Sequence, residues 1–343
     1  MILFCSDYQE GAHPAILEKL NSINFMQYPG YGTDELCLQA AELIKEKCHC
    51  PHADVHFLVG GTQTNTTVIS AALRPHQGVL CAHTGHISVH ETGAIEATGH
   101  KVLTVYSPDG KITAEQVERE VTLQADFEHT VKPGMVYISF STEVGTIYTL
   151  AELTALRQVC DKHRLYLFLD GARLGYGLCG EGNDISLPDI ARLCDVFYIG
   201  GTKVGALFGE AVVIVNPALK PDFRYFIKQR GGMLAKGWLL GVQFLTLFEG
   251  DLYTSIAAHA HRMAMLVRDA LRRMNVPFLV ESPTNQQFPI LLDEILKKLS
   301  NKYAFSFQEK TDENHTAVRI CTSWATREED VLALIQDLGD AIP

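Results

Sequence analysis

The sequence lacks the features that membrane insertion and general nucleic-acid binding require. Its most apolar stretches, such as Trp238–Phe248, fall well short of the ~18 uninterrupted apolar residues of a membrane-spanning helix. Basic residues are in deficit, with 29 Lys and Arg against 40 Asp and Glu and a net charge of −11, whereas a nucleic-acid binder needs a basic surface. The N-terminus has no basic region and soon acquires Asp7, so we expect no signal peptide. We therefore expect neither a membrane nor a nucleic acid as a partner.

The sequence also lacks internal repeats, low-complexity tracts and a Pro/Ser-rich linker. Its nine cysteines are an odd number in a chain of 343 residues, which speaks against a disulfide framework and for a reducing compartment. We expect a cytoplasmic protein. The hydrophobic share of 47% is that of an ordinary globular chain, and the length corresponds to about two domains of ~150 residues.

Apolar strand-like runs alternate with helix-like segments over most of the chain. The predicted strands are Val55–Val59, Val79–Ala82, Lys101–Tyr106, Met135–Phe140, Leu165–Leu169, Val196–Ile199 and Ala211–Val215. Strands separated by helices predict parallel βαβ crossovers and a sheet covered by helices on both faces. We therefore predict an α/β fold with a mainly parallel central sheet.

The pattern changes after about residue 216. The predicted elements there are helices at Trp238–Phe248, Leu252–Met274, Leu292–Leu299 and Arg327–Leu338 and strands at Gln287–Leu292, Phe305–Gln308 and Ala317–Thr322. We predict a large α/β domain over residues 1–245 and a smaller α+β domain over 246–343, with the N-terminal segment a candidate to pack against the smaller one.

Polar residues follow several predicted strands, where ligands of open α/β sheets collect. The Gly60-Gly61-Thr62 turn precedes a helix and is either a phosphate cradle or an ordinary turn with a Thr cap. Asp170 ends an apolar strand and either caps the next helix or pairs with a cationic ring nitrogen, a metal or a ribose. Lys203, flanked by glycines, is either a solvated turn residue or a desolvated amine able to form a Schiff base.

Three further motifs are ambiguous. The run His83–Glu91 contains His86, whose ring could stack on a flat cofactor. A metal site in this run or at Cys48–His52 is disfavoured, because the sequence shows no further cluster of metal ligands. Gly175–Gly180 matches G-x-G-x-x-G but does not follow its strand directly, which argues against dinucleotide binding. We expect no metal.

The glycine turn, Asp170 and Lys203 together suit one cofactor. Pyridoxal 5′-phosphate needs a phosphate cradle, an acid for its ring nitrogen and a lysine. With Leu169-Asp170-Gly171-Ala172-Arg173-Leu174, Gly201-Thr202-Lys203 and His86…Glu91-Thr92-Gly93-Ala94, the sequence resembles the threonine aldolase/β-eliminating lyase family of fold-type I pyridoxal phosphate-dependent enzymes. The resemblance runs from Phe4 to Arg319 and implies the fold-type I transferase-like fold.

The resemblance implies roles for individual residues around the cofactor ring. Lys203 would be the Schiff-base lysine, Asp170 would pair with the pyridinium nitrogen, and His86 would stack on the ring and take part in catalysis. Arg173 would lie near the ring hydroxyl and contribute to substrate binding.

The resemblance also implies how the phosphate and the substrate are held. Gly61 and Thr62 match the phosphate-binding turn. Family members assemble as homodimers or homotetramers in which basic residues of a neighbouring chain complete the phosphate site. Lys228 and Arg230 are the candidates for these basic residues. The substrate carboxylate would be held by residues matching Ser6 and Arg319.

The implied reaction is retro-aldol cleavage of a β-hydroxy-α-amino acid, such as threonine, allo-threonine or phenylserine, to glycine and an aldehyde. The chain departs from the family at Glu143, where a histidine is usual, and at Arg230–Ala235, where Gly-Gly-Gly-Met-Arg-Gln is usual. Glu143 becomes the candidate base, and both departures weaken the expectation that threonine itself is preferred. β-Elimination or transamination on the same scaffold, and a non-catalytic protein that retains the fold, stay open as alternatives.

Overall fold

The computed structural model describes residues 1–123 and 127–342. Its strands are β1 (Ile2–Leu3), β2 (Asp54–Leu58), β3 (Gln77–Ala82), β4 (Val102–Val105), β5 (Lys132–Ser139), β6 (Tyr166–Asp170), β7 (Val196–Gly200), β8 (Glu210–Ile214), β9 (Gln286–Gln287), β10 (Ile290–Leu292), β11 (Tyr303–Ala304), β12 (Ser306–Lys310) and β13 (His315–Cys321). Its α-helices are α1 (Pro14–Ser22), α2 (Glu35–Lys47), α3 (Gly61–Ala72), α4 (His86–Val89), α5 (Ala114–Leu123), α6 (Leu150–His163), α7 (Leu174–Leu178), α8 (Leu187–Leu193), α9 (Phe223–Gln229), α10 (Trp238–Phe248), α11 (Leu252–Arg273), α12 (Asp293–Leu299) and α13 (Glu328–Ala341).

The central sheet confirms the predicted α/β class. Its order is β2-β8-β7-β6-β5-β3-β4, and β7, β6, β5, β3 and β4 pair in parallel. The sheet is mainly parallel, as predicted, and β8 is the exception, since it pairs antiparallel with both β7 and β2. The reason is local, because the segment from Gly201 to Gly209 between β7 and β8 contains no helix to carry the chain back across the sheet. Lys203 lies in that short connection.

A second, smaller set of strands is formed by the C-terminal part of the chain. β10, β13 and β12 form an antiparallel sheet, and β9 also pairs with β13. The predicted strand Gln287–Leu292 is divided in two, with Phe288 and Pro289 between β9 and β10, which is consistent with proline having no N–H to donate. The N-terminal strand β1 joins this region by pairing in parallel with β11.

Both faces of the central sheet are buried under helices. One apolar cluster includes residues of α2, α6 and α10, and another, on the opposite face, includes residues of α3 and α9. A third cluster contains Phe4 together with C-terminal residues such as Leu291 and Leu334. The long helix α11 contributes Ala260 to the first cluster and Val267 to the third. Across the described ranges, the structure has no helix that is both long and apolar enough to cross a membrane.

Candidate active site

The polar residues singled out in the sequence meet where parallel strands of the central sheet end. Asp170 is the last residue of β6, Lys203 follows β7, and Glu143 follows β5. The start of α3, with Gly61 and Thr62, lies on the same side, since the Asn65 side chain of α3 reaches Asp170. This is the edge of an α/β sheet at which ligands bind.

Asp170 is a buried carboxylate held by several donors. Its Oδ2 accepts hydrogen bonds from Asn65 Nδ2 at 3.2 Å and from the Tyr137 hydroxyl, and its Oδ1 accepts one from the Ala172 N–H at 3.0 Å. Burial and the nearby carboxylates raise the pKa of Tyr137 well above 10, so the phenol keeps its proton and remains a donor. These three donors fix the position of the Asp170 carboxylate at the end of β6.

The same asparagine links Asp170 to a His–Glu pair. Asn65 Nδ2 also donates to Glu91 Oε1 at 2.7 Å, and that oxygen lies 2.8 Å from Nδ1 of His86. Burial opposes protonation of His86, but the hydrogen bond to Glu91 and the charges of Glu143 and Asp170 raise its pKa above 6.5. The Glu91 contact therefore fixes the ring and favours its protonated form.

Arg173 and Asp7 form a buried ion pair. Arg173 Nε donates to Asp7 Oδ2 at 2.8 Å and its Nη2 donates to Asp7 Oδ1 at 3.1 Å, while Asn285 Nδ2 also donates to Asp7 at 3.0 Å. Burial alone would raise the pKa of Asp7, but the charges of Arg173 and Lys203 and these hydrogen bonds lower it to about 2. Arg173 Nη1 lies 3.7 Å from Glu143, which brings the candidate base to the same cluster.

The main chain and surroundings of Lys203 are well defined. The Tyr176 hydroxyl donates to the Lys203 carbonyl, and the Lys203 ammonium lies 6.0 Å from the centre of the Tyr8 ring. Its charge acts on both Asp7 and Glu210. The predicted Schiff-base lysine thus stands in one electrostatic cluster with the carboxylates of the site.

Helix α3 begins without a side-chain cap. The N-cap position is Gly60, so the Thr cap considered as an alternative is not formed by Thr62 or Thr64. Thr64 Oγ1 is buried and, among the described residues, has no hydrogen-bond partner. A Cβ atom on Gly61 would lie only 3.2 Å from the Tyr198 hydroxyl. Free N–H groups at a helix start, with a glycine at the point of close approach, are suited to an anion such as phosphate.

The residues predicted to bind the substrate carboxylate lie near one another. Arg319 Nη2 donates to the carbonyl of Cys5, the neighbour of Ser6, at 3.0 Å, and Arg319 Nη1 contacts Gln286 Oε1 at 3.3 Å. The Nε of Arg319 is buried and has no partner within the described ranges. The charges of Arg319 and Arg173 both act on His90, so these two cations belong to the same part of the molecule.

The two candidates for a neighbouring chain's phosphate site lie at the C-terminal end of α9. Lys228 is exposed, and its ammonium lies 5.1 Å from the centre of the Tyr31 ring. The carbonyl of Arg230 accepts a hydrogen bond from Gln63 Nε2 of α3 at 3.2 Å. Their role in a partner's site stays a prediction.

His86 and His90 have neighbouring imidazole rings. Their ring centres are 5.5 Å apart, and burial lowers the pKa of His90. In the part of the chain that the structure describes, no group of three or more His, Cys, Asp or Glu residues could hold a metal ion.

The sequence and the fold have counterparts among known proteins. The family model described as beta-eliminating lyase matches residues 4–293. The chain belongs to the beta-eliminating lyase family. This confirms the resemblance read from the Asp170, Lys203 and His86 motifs.

Relatives of this beta-eliminating lyase family member match it over nearly its whole length. The low specificity L-threonine aldolase of Pseudomonas sp. (strain NCIMB 10558) is 30% identical over 98% of this chain and 96% of its own. A solved structure of threonine aldolase from Leishmania major is 46% identical, with a TM-score of 0.99 and all of both chains covered. An aspartate aminotransferase from Thermus thermophilus, 15% identical, superposes with a TM-score of 0.73 over 99% of this chain and 91% of its own. That last similarity shows the fold alone, which is the fold-type I architecture.

Several residues of the site were missed in the sequence. Glu91 belongs to the His86…Glu91 motif, but the sequence assigned it no role, and Asp7, an acid in an apolar N-terminal segment, could have been singled out. Nothing local marked Asn65 or Tyr137, because their contacts to Asp170 join residues 105 and 33 positions apart.

Proposed function

We propose that this protein is a pyridoxal 5′-phosphate-dependent aldehyde-lyase that cleaves β-hydroxy-α-amino acids to glycine and an aldehyde. The observation that carries the proposal is the cluster in which Lys203, the buried Asp170 and the His86–Glu91 pair meet at one sheet edge. Similarity over 98% of the chain to a low specificity L-threonine aldolase favours this reaction over others of the same scaffold.

The residues present fit the cofactor on which this family depends. The uncapped start of α3, with Gly61 and Thr62, would hold the phosphate. Asp170, held in place by its donors, would pair with the ring nitrogen, and the ring of His86, fixed by Glu91, would lie on the ring face. Lys203 would bind the aldehyde carbon. When bound, pyridoxal 5′-phosphate supplies an electron sink for the pair left on Cα when the Cα–Cβ bond breaks.

Substrate orientation is assigned to cations at the edge of the site. We propose that Arg319 and Ser6 hold the substrate carboxylate, with Arg173 contributing from its fixed position against Asp7. The unpartnered Nε of Arg319 supports a ligand there, given that a buried donor without an acceptor is costly. A fixed carboxylate fixes the direction of the scissile bond.

Proton removal from the β-hydroxyl is assigned to Glu143. Its side chain is 14% exposed and lies 3.7 Å from Arg173, so it borders the site while staying in contact with solvent. A carboxylate oxygen there can take the hydroxyl proton as the carbonyl of the aldehyde forms. His86 is the less suitable base, since the hydrogen bond to Glu91 raises its pKa and favours the protonated ring.

The proposal is tested by product analysis. The purified protein, supplied with pyridoxal 5′-phosphate, is incubated with L-threonine, L-allo-threonine or phenylserine, and glycine and aldehyde are quantified. Equal amounts of glycine and aldehyde are expected, with the activity lost in Lys203→Ala and kept in Lys298→Ala, which alters an exposed lysine of α12. Keto acid and ammonia without glycine would instead establish β-elimination.

We further propose a cytoplasmic homodimer or homotetramer in which Lys228 and Arg230 complete a neighbour's phosphate site. The proposal is supported by the exposed Lys228 and by large apolar side chains left on the surface of the single chain, including Phe25 at 96% exposure and Tyr225 at 76%. The nine cysteines are all free, as is usual in a reducing compartment. Sedimentation equilibrium tests the assembly, and a monomer at micromolar concentration would contradict it.

The domain division is also a proposal. We propose a large domain over residues 1–245 and a smaller one over 246–343. The separate apolar cluster of the C-terminal region supports this division. Phe4 belongs to that cluster, which supports packing of the N-terminal segment with the smaller domain.

A further inference from the structure

Residues Gly175–Gly177, the first part of the G-x-G-x-x-G match in the sequence, lie against the segment that carries Lys203. They belong to the short helix α7, and all three are buried. The Tyr176 side chain is fully buried, and its hydroxyl donates a hydrogen bond to the Lys203 carbonyl. This motif thus contacts the main chain of the proposed Schiff-base lysine directly.

The two glycines let α7 approach its neighbours closely enough for this contact. A Cβ atom on Gly177 would lie 2.6 Å from the ring of Phe140, the residue that follows β5. A Cβ atom on Gly175 would lie 3.1 Å from the ring of Tyr253 in α11. Because a side chain at position 177 would displace either α7 or the Phe140 ring, the glycines fix where Tyr176 lies.

A second buried phenol, that of Tyr253, ties α7 to the strand that leads into Lys203. Its hydroxyl accepts a hydrogen bond from the Gly175 N–H at 3.1 Å and donates one to the Gly200 carbonyl at 3.0 Å. Gly200 is the last residue of β7. The chain that runs from β7 to Lys203 is therefore held at both ends, at Gly200 by Tyr253 and at Lys203 by Tyr176.

The Tyr176 hydroxyl also reaches the C-terminal region. It accepts a hydrogen bond from the main-chain N–H of Trp324, which follows β13, the strand that carries Arg319. Burial and the charge of Asp7 raise the pKa of Tyr176 well above 10, and the Trp324 hydrogen bond opposes them only in part. The phenol therefore keeps its proton and remains a donor to Lys203.

We propose that Tyr176 is a positioning residue for Lys203, whose main chain it fixes through the carbonyl. The connection from β7 to β8 contains no helix, so side-chain hydrogen bonds to its carbonyls help to set its path. A lysine whose main chain is already fixed loses less conformational freedom when its amine bonds to an aldehyde carbon and water is released. This inference rests on the proposed role of Lys203.

The test compares two ligands that differ only at the carbon that Lys203 would bind. Pyridoxal 5′-phosphate has an aldehyde there, whereas pyridoxine 5′-phosphate has an alcohol and forms no bond to a lysine. Both dissociation constants are measured by isothermal titration calorimetry on the full chain freed of cofactor. The variant is Tyr176→Phe, which removes only the hydroxyl. The matched control, Tyr303→Phe, removes the hydroxyl of another tyrosine with a buried ring, which is bonded to Asp337.

The expected result is a selective loss of affinity. Tyr176→Phe should bind pyridoxal 5′-phosphate about tenfold more weakly, as for a buried carbonyl left without its donor, and should bind pyridoxine 5′-phosphate as the unaltered chain does. Tyr303→Phe should bind both ligands normally. An equal loss for both ligands in Tyr176→Phe would indicate general damage to the site, and no loss for either would mean that the hydroxyl does not position Lys203. Either result would overturn the inference.

A second variant applies if circular dichroism shows that Tyr176→Phe does not fold. Tyr253→Phe removes the hydroxyl that joins Gly175 to the Gly200 carbonyl, so α7 is no longer tied to β7. The same selective loss for pyridoxal 5′-phosphate is expected, and normal binding of both ligands would overturn the inference.

The proposed role of Lys203 is checked separately in the unaltered chain. Borohydride reduction of the chain loaded with pyridoxal 5′-phosphate should place the label on Lys203. A label elsewhere would overturn both that role and the inference drawn from it. A label on Lys203 combined with normal binding in Tyr176→Phe would overturn the inference alone, so the two failures are distinguishable.

Discussion

Replacing Asp7 with Asn should destabilise the protein strongly, because it breaks a buried ion pair. Asp7 is fully buried and Arg173 is 4% exposed, and two hydrogen bonds join them. Removing one partner of such a pair leaves the other charge uncompensated, which typically costs about 3–5 kcal/mol. Glu143, 3.7 Å from Arg173, offsets part of the loss. We expect a decrease of about 3 kcal/mol in the free energy of unfolding at pH 7.

The pH dependence of stability gives an independent measure of the same pair. The pKa of Asp7 in the folded chain is lowered from 3.8 to about 2, so its contribution is fully present above pH 4 and is lost as the pH falls towards 2. At about 1.36 kcal/mol for each tenfold change in proton affinity, this contribution is about 2.4 kcal/mol. The Asp7→Asn variant should lack this part of the acid dependence.

The assay is urea denaturation followed by circular dichroism at pH 7 and at several acid pH values. Asp340→Asn, which alters an exposed carboxylate of α13, is the matched control and should unfold like the unaltered chain. If Asp7→Asn lowered the free energy of unfolding by less than about 1 kcal/mol and left its dependence on acid pH unchanged, the argument would be refuted. The Arg173 charge would then not depend on Asp7 for its compensation.

Two further predictions concern the acids around the catalytic cluster. Glu91→Gln should lower the pKa of His86, because it removes the carboxylate that accepts from Nδ1. Proton NMR titration of the imidazole should show this decrease. An unchanged titration would mean that Glu143 and Asp170 alone raise the pKa of His86. Glu143→Gln should slow retro-aldol turnover by about a hundredfold while leaving the visible absorbance of the bound cofactor unchanged. Unaltered turnover would remove Glu143 from the mechanism.

The position of Asp170 and Lys203 at one edge of the sheet could be predicted from the sequence because its signals are local. An apolar run that ends in Asp170, and another that is followed by Gly-Gly-Thr-Lys203, are visible without knowledge of any contact. Since parallel strands share one carboxyl edge, such residues can be placed together from the pattern alone. The fold class and the family, both predicted in this way, are confirmed.

The contacts that hold the site together were not predictable in the same way. The Arg173–Asp7 pair joins residues 166 positions apart, and the Asn285–Asp7 hydrogen bond joins residues 278 positions apart. Nothing in the spacing of either segment indicates its partner, since the contacts arise only when the N-terminal segment, whose β1 pairs with β11, packs against the C-terminal region. The reversed direction of β8 was missed for a related reason, as its short connection from β7 was read as one more crossover.

The central claim is that Lys203 binds pyridoxal 5′-phosphate covalently, and an absorbance spectrum tests it most directly. The purified chain, reconstituted with the cofactor and dialysed, should show a visible absorbance band that is absent from Lys203→Ala and unchanged in Lys298→Ala. Reduction with borohydride followed by peptide mapping should place the label on Lys203. A band of equal intensity in Lys203→Ala, or no band in the unaltered chain, would contradict the account.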